Sequence, residues 1–359
     1  MDHSRKSQVL AAMNPSAEQQ LKFLQHLQLL FEDGNFTATY KYALLMSLAE
    51  LAVESATITD ELSLSMTSIA EKFAEFYWPQ TVPYASGATG ATPSILSQNL
   101  GEQASVIKSL LALRSQGGAT LAQAKRLPSW PNVIRKIALT VSGMPVQHLQ
   151  NIGGTLVPFL YDYPHAKAGI ILKPGVVFML RTFHPLIQQL AQAGWVRHVR
   201  ENRRNASIIG QADELEIFMF GSSRNALIEA SKVLAKIQSR KCFYCGGTIS
   251  DSGHVDHFIP WSKYPRDLGH NFVLAHAGCN RNKSNMLAAQ RHLAHWVERN
   301  MQFGQDISGE LSQFLADRDC SIRVTRWAYE QGLVAGAHGW IEGKATEPLG
   351  EDCLVTLVI

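Results

Sequence analysis

The sequence lacks the features that mark secreted, membrane or repetitive proteins. It contains only five cysteines in 359 residues, too few for the disulfide framework that stabilises small secreted domains. No apolar run approaches the roughly 18 residues of a membrane span, and no apolar segment with a small-residue cleavage site opens the chain. There is neither an internal repeat nor a low-complexity tail. These absences predict a soluble, cytoplasmic protein without a membrane partner.

The sequence also lacks a large excess of either basic or acidic residues. The formal net charge is only +3, the pI is near 8.5, and charged residues make up 18% of the chain. A surface for nucleic acid must therefore come from local clustering of basic residues, because the overall field is weak. The 46% of hydrophobic residues is ordinary for globular proteins, and the length leaves room for two or three domains.

Apolar residues recur at helical spacing through most of the N-terminal two thirds of the chain. The stripe formed by Leu44, Leu48 and Leu51 is typical of a helix that faces a core. Strand signals are fewer. Ile170–Leu180 is the main candidate, where Pro174 and Gly175 form a hairpin or open a helix, and Cys353–Ile359 predicts a closing strand.

Two short motifs bring cysteine and histidine together at metal-ligand spacing. Each motif separates its two ligands by two residues, so each pair can bind one side of a tetrahedral ion. Three cysteines and one histidine in two such pairs predict a closed structural Zn²⁺ site. The alternative is a set of buried free cysteines, and the histidine position is the weakest, because His270 or His254 could replace it. The predicted ligands are Cys242, Cys245, His276 and Cys279.

Two further motifs lie beside these pairs. Val255–Pro260 (VDHFIP) predicts a short strand stopped by proline, His270–Leu274 (HNFVL) predicts a second strand, and Asn280 lies where a helix begins. Together with the cysteine pairs, this arrangement resembles the ββα-metal finger of HNH endonucleases. The zinc-knuckle subgroup of that family has C-x2-C, D-H-x-x-P, N-x-V-L and C-x2-C-N-x-x-K. His276 departs from the cysteine usual in the subgroup but remains a zinc ligand.

The resemblance implies hydrolysis of phosphodiester bonds. That reaction needs a base to deprotonate water and a cation to hold the charge that develops on the phosphoryl oxygens. By resemblance, His257 is the general base, and a neutral imidazole can accept a proton near neutral pH. Asp256 and Asn280 would hold Mg²⁺ or Mn²⁺ through their oxygens. Asn271 would hold the loop together and orient His257.

Basic residues near the finger and upstream of it are candidates for phosphate contacts. Lys283 lies three residues after Asn280, on the same helix face, and reaches a phosphate unless it is simply a solvated lysine. The densest basic patch follows Trp195, where a solvated helix face is the alternative. The predicted nucleic-acid contacts are Lys283, Arg281, Arg197, Arg200, Arg203 and Arg204.

The predicted fold class is mostly α. We expect a helical region over residues 1–235 that positions DNA or has a regulatory role. The HNH finger occupies residues 236–300, and a small α+β segment of helix and strand occupies residues 301–359.

The expected function is that of a stand-alone bacterial HNH endonuclease that acts on DNA in anti-phage defence or restriction. Two other functions stay open: a zinc-containing nucleic-acid-binding module without significant cleavage, and an RNA-directed nuclease. A homodimer and an activating partner are further expectations that the sequence leaves open.

Overall fold

The computed structural model describes residues 14–34, 36–55, 62–85, 93–162, 169–210, 214–221, 224–250 and 253–357. The chain divides into two compact units, residues 1–118 with 124–220 and residues 119–123 with 221–359. Over the described ranges the fold is mostly α, with only two-stranded sheets, as the sequence predicted. Each helix in those ranges is too short or too polar to cross a membrane.

Up to residue 220 the chain is largely helical. The helices are α1 (Ala17–Asp33), α2 (Tyr40–Glu54), α3 (Met66–Tyr77), α4 (Ser105–Ser115), α5 (Leu121–Lys125), α6 (Trp130–Gly143), α7 (Pro145–His148), α8 (Val176–Thr182), α9 (His184–Glu201), α10 (Ala206–Ile209) and α11 (Leu215–Phe220). The strands are β1 (Ser63–Ser65), β2 (Asn151–Ile152), β3 (Thr155–Leu156) and β4 (Gly169–Ile171). Single 3₁₀ turns are formed by Pro79–Thr81 and Arg203–Asn205.

Helix α2 is the centre of this first unit. Its side chains are buried around nearly the whole circumference, as expected of a helix enclosed by others, and it packs against α3, α8 and α9. Inside the unit, the Lys72 ammonium lies 3.3 Å from a carboxylate oxygen of Glu50, 2.7 Å from Glu54 and 3.0 Å from Glu75. Because the lysine is paired with these carboxylates, their charges can be tolerated away from water.

The alternative that remained open around Pro174 is settled in favour of a helix. The strand is short, with Ile170 of β4 opposite Leu64 of β1 in an antiparallel pair. Gly175 has a φ of 78°, a conformation that glycine adopts without strain, and α8 begins at the next residue.

The second unit contains the predicted finger and the segments that follow it. Its elements are α12 (Arg224–Ile237), β5 (His254–His257), a 3₁₀ turn (Gly269–Asn271), β6 (Phe272–Ala275), α13 (Ala277–Lys283), α14 (Gln290–Gln302), α15 (Gly304–Glu310), α16 (Arg318–Val334), β7 (His338–Glu342), β8 (Ala345–Pro348) and α17 (Asp352–Thr356).

The prediction of a closing strand over Cys353–Ile359 is wrong for the residues that the structure describes, because Asp352–Thr356 is helical. Cys353 and Leu357 are the buried positions, and their separation of four residues is the period of a helix rather than of a strand. Residues 358 and 359 lie outside the described ranges.

Residues far along the chain complete the finger. Trp340 of β7 forms two backbone hydrogen bonds with the loop after α13. Its carbonyl oxygen accepts from Ala289 N, and its N–H donates to Leu287 O, both at 2.8 Å. Leu268 pairs in parallel with Leu315. The finger is therefore enclosed by the C-terminal hairpin β7–β8 and by the segment that precedes α16.

Candidate active site and metal centre

The finger consists of β5, β6 and α13. The two strands are antiparallel, with Asp256 opposite Val273 and His257 opposite Phe272. Asp256 and His257 end β5, so their side chains leave opposite faces of the hairpin. Helix α13 packs against β5 and brings Asn280 and Lys283 to this part of the finger.

The four predicted zinc ligands come together. The sulfur atoms of Cys242, Cys245 and Cys279 and a ring nitrogen of His276 all lie within 4.8 Å of one another. That spacing and the donor set of three thiols and one imidazole suit a tetrahedral Zn²⁺. Neither His254 nor His270 is needed to complete the set.

The imidazole of His276 is oriented for metal binding. Its Nε2 lies 3.1 Å from the carbonyl oxygen of Thr248, so Nε2 carries the proton and donates it. Nδ1, which lies 3.3 Å from Cys245 Sγ, then has a free lone pair directed at the thiols. Such a hydrogen bond on the outer nitrogen is typical of histidines that bind metals.

The surrounding backbone supports the thiols. Cys242 N donates to Gly247 O at 2.8 Å and Gly246 N donates to Cys242 O at 2.9 Å, which closes the turn between the first two cysteines. Gly246 has a φ of 69°, and a Cβ on Gly247 would lie 3.2 Å from the His276 ring. Both glycines therefore allow the turn to approach the ligands closely.

Ionising all three thiols is unfavourable without a cation, because the thiolates would repel one another. Burial, and then the negative charges of Cys242 and Cys245, raise the pKa of the Cys279 thiol to about 12. Zinc binding requires thiolates, so a bound cation would reverse this effect and release the Cys279 proton.

His257 is held on three sides. Its Nε2 lies 2.7 Å from Oδ1 of Asp267, and its ring is 5.3 Å from that of Trp261 and 5.0 Å from that of Phe272, both roughly perpendicular. The His257 side chain is 20% exposed, so water can reach the imidazole.

Asn271 is hydrogen-bonded to the loop after β5. Its Oδ1 accepts from Ile259 N at 2.7 Å and its Nδ2 donates to Ile259 O at 2.9 Å. Its own carbonyl accepts from Phe258 N at 2.8 Å. These bonds tie the loop after His257 to the second strand and thereby restrict the position of His257.

Helix α14 holds the turn that carries Asn271. The carbonyl oxygen of His270 accepts hydrogen bonds from Trp296 Nε1 at 3.1 Å, from a guanidinium nitrogen of Arg299 at 2.6 Å and from Asn300 Nδ2 at 3.3 Å. All three donors are buried. No sequence motif predicts this network.

His270 itself makes stability depend on pH. It is fully buried, its Nε2 donates to Gly304 O at 3.0 Å, and burial lowers its pKa from 6.5 to about 4. Between these values the unfolded chain binds a proton that the folded chain does not. The contribution of His270 to the free energy of unfolding is therefore fully present above pH 6.5 and declines as the pH falls towards 4.

We expect His270→Gln, which keeps a side-chain donor but does not titrate, to flatten this dependence. The slope of unfolding free energy against pH should fall by up to about 1.4 kcal/mol per pH unit between pH 6.5 and 4. Urea titrations at a series of pH values measure both slopes. Equal slopes for the two proteins would contradict the assignment.

Asp256 lies inside the finger rather than at its surface. Its Oδ2 accepts from Tyr244 Oη at 2.6 Å and lies 3.2 Å from Lys283 Nζ. Burial, and next the Asp256 charge, raise the pKa of Tyr244 well above its usual value, so the phenol remains a donor. Burial lowers the pKa of Lys283, and the Asp256 charge opposes that change.

The predicted phosphate contact of Lys283 is therefore corrected. Its side chain is fully buried, and its ammonium also donates to the backbone oxygen of His257 at 2.9 Å. Lys283 neutralises Asp256 and joins α13 to the end of β5. No phosphate can reach it in this conformation.

Two side-chain oxygens of the finger are not engaged by hydrogen bonds in the part of the chain that the structure describes. Among the described residues, Asp256 Oδ1 takes no hydrogen bond, and neither does the side-chain amide of Asn280, which is half-buried. One carboxylate oxygen and one amide oxygen are thus available for a hard cation such as Mg²⁺ or Mn²⁺.

Rings from the C-terminal hairpin and from α14 pack around Tyr244. The Tyr244 ring is 5.2 Å from Trp340 and 5.3 Å from His292, perpendicular to both. His292 stacks on Trp340, and His295 stacks on Phe243 at 4.5 Å. Both histidines of α14 therefore serve packing.

The remaining predicted contacts are exposed. Arg281 lies on the outer side of α13. In the other unit, four arginines are exposed at the end of α9 and in the 3₁₀ turn that follows, and Asn202 and Asn205 tie that turn to Ser97–Asn99. These arginines are Arg197, Arg200, Arg203 and Arg204.

Sequence reasoning missed Asp267 and Tyr244. Asp267 lies in the loop between the strands, ten residues after His257, where no motif position marks it. Tyr244 lies inside the first cysteine pair, where an aromatic residue predicts packing rather than a bond to a carboxylate.

Comparisons with known proteins place two families along the chain. A family model described as a domain of unknown function (DUF8808) matches residues 19–216, and one described as HNH endonuclease matches residues 242–286. No curated protein and no solved structure matches the chain. The second match contains the cysteine–histidine cluster, so the finger is a zinc-knuckle variant of the HNH type.

Proposed function

This chain belongs to the family described as domain of unknown function (DUF8808), and its second unit contains the HNH endonuclease finger. We propose that the protein is a metal-dependent endonuclease that hydrolyses phosphodiester bonds of DNA. The observation that carries the proposal is the pairing, at the end of β5, of a water-accessible His257 with an adjacent Asp256 that keeps one carboxylate oxygen available.

His257 acts as the general base in this proposal. A water molecule at its ring gives up a proton to the imidazole, and the resulting hydroxide attacks the phosphorus. Asn271 and the Trp261 and Phe272 rings keep the imidazole in place. Asp256 and Asn280 would hold a divalent cation, which supplies positive charge to the phosphoryl and leaving oxygens when bound.

Nucleic acid would be held by basic residues outside the hairpin. Arg281 on α13 is the nearest exposed candidate along the sequence, and the four exposed arginines after Trp195 form the second. Such residues contact phosphates and carry little sequence information, so we propose that specificity depends on residues beyond the finger.

The first test is cleavage of supercoiled plasmid, single-stranded DNA and RNA by the zinc-loaded full chain. The reactions contain Mg²⁺, Mn²⁺ or no added divalent ion. The ion is omitted rather than chelated, because a chelator would also remove zinc from the cysteine–histidine cluster. We expect cleavage that requires the added ion and that falls at least about 10²-fold in His257→Ala. His254→Ala is the matched control, since His254 is exposed on the same strand.

Equal cleavage by His257→Ala and wild type would refute the proposed base. Binding of DNA without cleavage, at every ion tested, would favour the alternative of a zinc-containing binding module. Cleavage confined to the RNA substrate would favour the RNA-directed nuclease.

A further inference from the structure

We propose that Asp267 is a positioning residue that sets the tautomer of His257 and so determines which ring nitrogen acts as the base. The inference rests on the proposed function for its kinetic consequence, but its structural content is independent of cleavage. It starts from the 2.7 Å separation of His257 Nε2 and Asp267 Oδ1.

The pairing leaves one tautomer for the neutral imidazole. An ionised carboxylate only accepts hydrogen bonds, so Nε2 must carry the proton. Nδ1 then keeps its lone pair. Within the described ranges Nδ1 of His257 has no hydrogen-bond partner, and the side chain is 20% exposed. The nitrogen that can accept a proton is therefore Nδ1, in a side chain that is partly exposed to solvent.

The carboxylate is itself held in place. The backbone oxygen of Asp267 accepts from Leu315 N at 3.3 Å, and Gly269 N donates to Leu315 O at 3.0 Å. The Asp267 side chain is 12% exposed, so solvent competes only weakly for it. A segment beyond the matched HNH residues thus fixes the partner of His257.

The chemical step assigns each atom. An O–H bond of water breaks and its proton goes to Nδ1 of His257, while the hydroxide oxygen forms a bond to phosphorus. The bond from phosphorus to the leaving oxygen breaks, and that oxygen takes the electron pair and then a proton from solvent. The Nε2 proton stays on the ring, and the Asp267 carboxylate stabilises the imidazolium, as the aspartate of a serine-protease triad does.

Asp267→Asn is the decisive variant. The new amide can donate to Nε2, which moves the ring proton to Nδ1 and removes the base. We expect kcat to fall about 10²–10⁴-fold with KM for DNA unchanged. Asp267→Glu keeps an acceptor-only carboxylate and should recover part of the rate. Asp306→Asn, on an exposed aspartate of α15, is the matched control.

The tautomer is measured separately by ¹⁵N NMR of histidine-labelled protein, with the His257 signals assigned through His257→Ala. We expect the neutral wild-type ring to be protonated at Nε2 and the Asp267→Asn ring at Nδ1. This readout needs no cleavage, so it tests the pairing even if the protein does not cut DNA. A wild-type ring protonated at Nδ1 would overturn the inference, as would an active enzyme whose kcat is unchanged in Asp267→Asn.

Discussion

Replacing Cys279 with serine is expected to abolish stoichiometric zinc binding and to destabilise the unit of residues 221–359 by more than about 5 kcal/mol. Structural Zn²⁺ contributes about 10–16 kcal/mol in isolated zinc fingers. Here the knuckle joins the turn at Cys242 to the start of α13, while the strands β5 and β6 are only four residues long each. A two-stranded sheet of that length is marginal without further support.

Metal analysis and thermal melting measure the two effects. Cys320→Ser, which changes a cysteine outside the cluster, should keep one zinc per chain, and His276→Cys should also keep it because thiolate replaces imidazole. Since the pKa of the Cys279 thiol is about 12 in the protein alone, zinc uptake at neutral pH should release protons. Full zinc content and an unchanged melting temperature in Cys279→Ser would contradict the assignment.

Replacing Lys283 with methionine is expected to cost about 3–5 kcal/mol of stability, the usual range when one member of a buried ion pair is removed. Methionine fills a similar volume, so the loss is mainly electrostatic. Asp256 would keep the hydrogen bond from Tyr244 but would lose the cation 3.2 Å away. The end of β5 would also lose the link from the Lys283 ammonium to the His257 backbone oxygen.

The double variant Lys283→Met with Asp256→Asn separates charge from packing. Without the carboxylate no charge is left alone, so the double variant should be more stable than Lys283→Met. Arg281→Met, on the exposed side of the same helix, should change the free energy of unfolding by less than about 0.5 kcal/mol. Urea unfolding of the zinc-loaded proteins gives these values. A loss in Lys283→Met no larger than that in Arg281→Met would refute the buried pair.

The sequence predicts most reliably what short spacings determine. Two ligands separated by two residues lie on one turn, so each half of the Cys242–Cys279 cluster is a local property. Pairing of β5 with β6, which lie between the two ligand pairs in the sequence, is then enough to bring all four ligands together. The hydrogen bonds of Asn271 follow from the same hairpin. These parts of the site could be predicted because each depends on few residues close in sequence.

The position of Lys283 shows where such reasoning ends. A separation of three residues places Lys283 and Asn280 on one helix face, but it does not say whether that face points to solvent or to β5. Packing of α13 decides this, and it buries the lysine. Asp267 is harder still, because its place beside His257 depends on the pairing of Leu268 with Leu315, far along the chain.

The hairpin β7–β8 was also missed. Its turn contains Gly343 at a φ of 52°, but each strand is short and its pattern of exposed and buried residues is irregular. Trp340, the residue that matters most, is buried because it packs on Tyr244 and His292. Those partners precede it by dozens of positions, and no local pattern identifies them.

The backbone hydrogen bonds at Trp340 and Leu315 limit how the finger can be transferred between proteins by recombination. A motif that folds alone can move between genes as a cassette, bringing its activity to any host. Here the hydrogen bonds of Leu287 and Ala289 and the alignment of Asp267 are supplied from beyond residue 310. Recombination that transferred only the matched residues 242–286 would transfer the zinc ligands without the Trp340 and Leu315 segments that hydrogen-bond to the finger. Chimeras built from this chain should therefore exchange residues 221–359 as one piece.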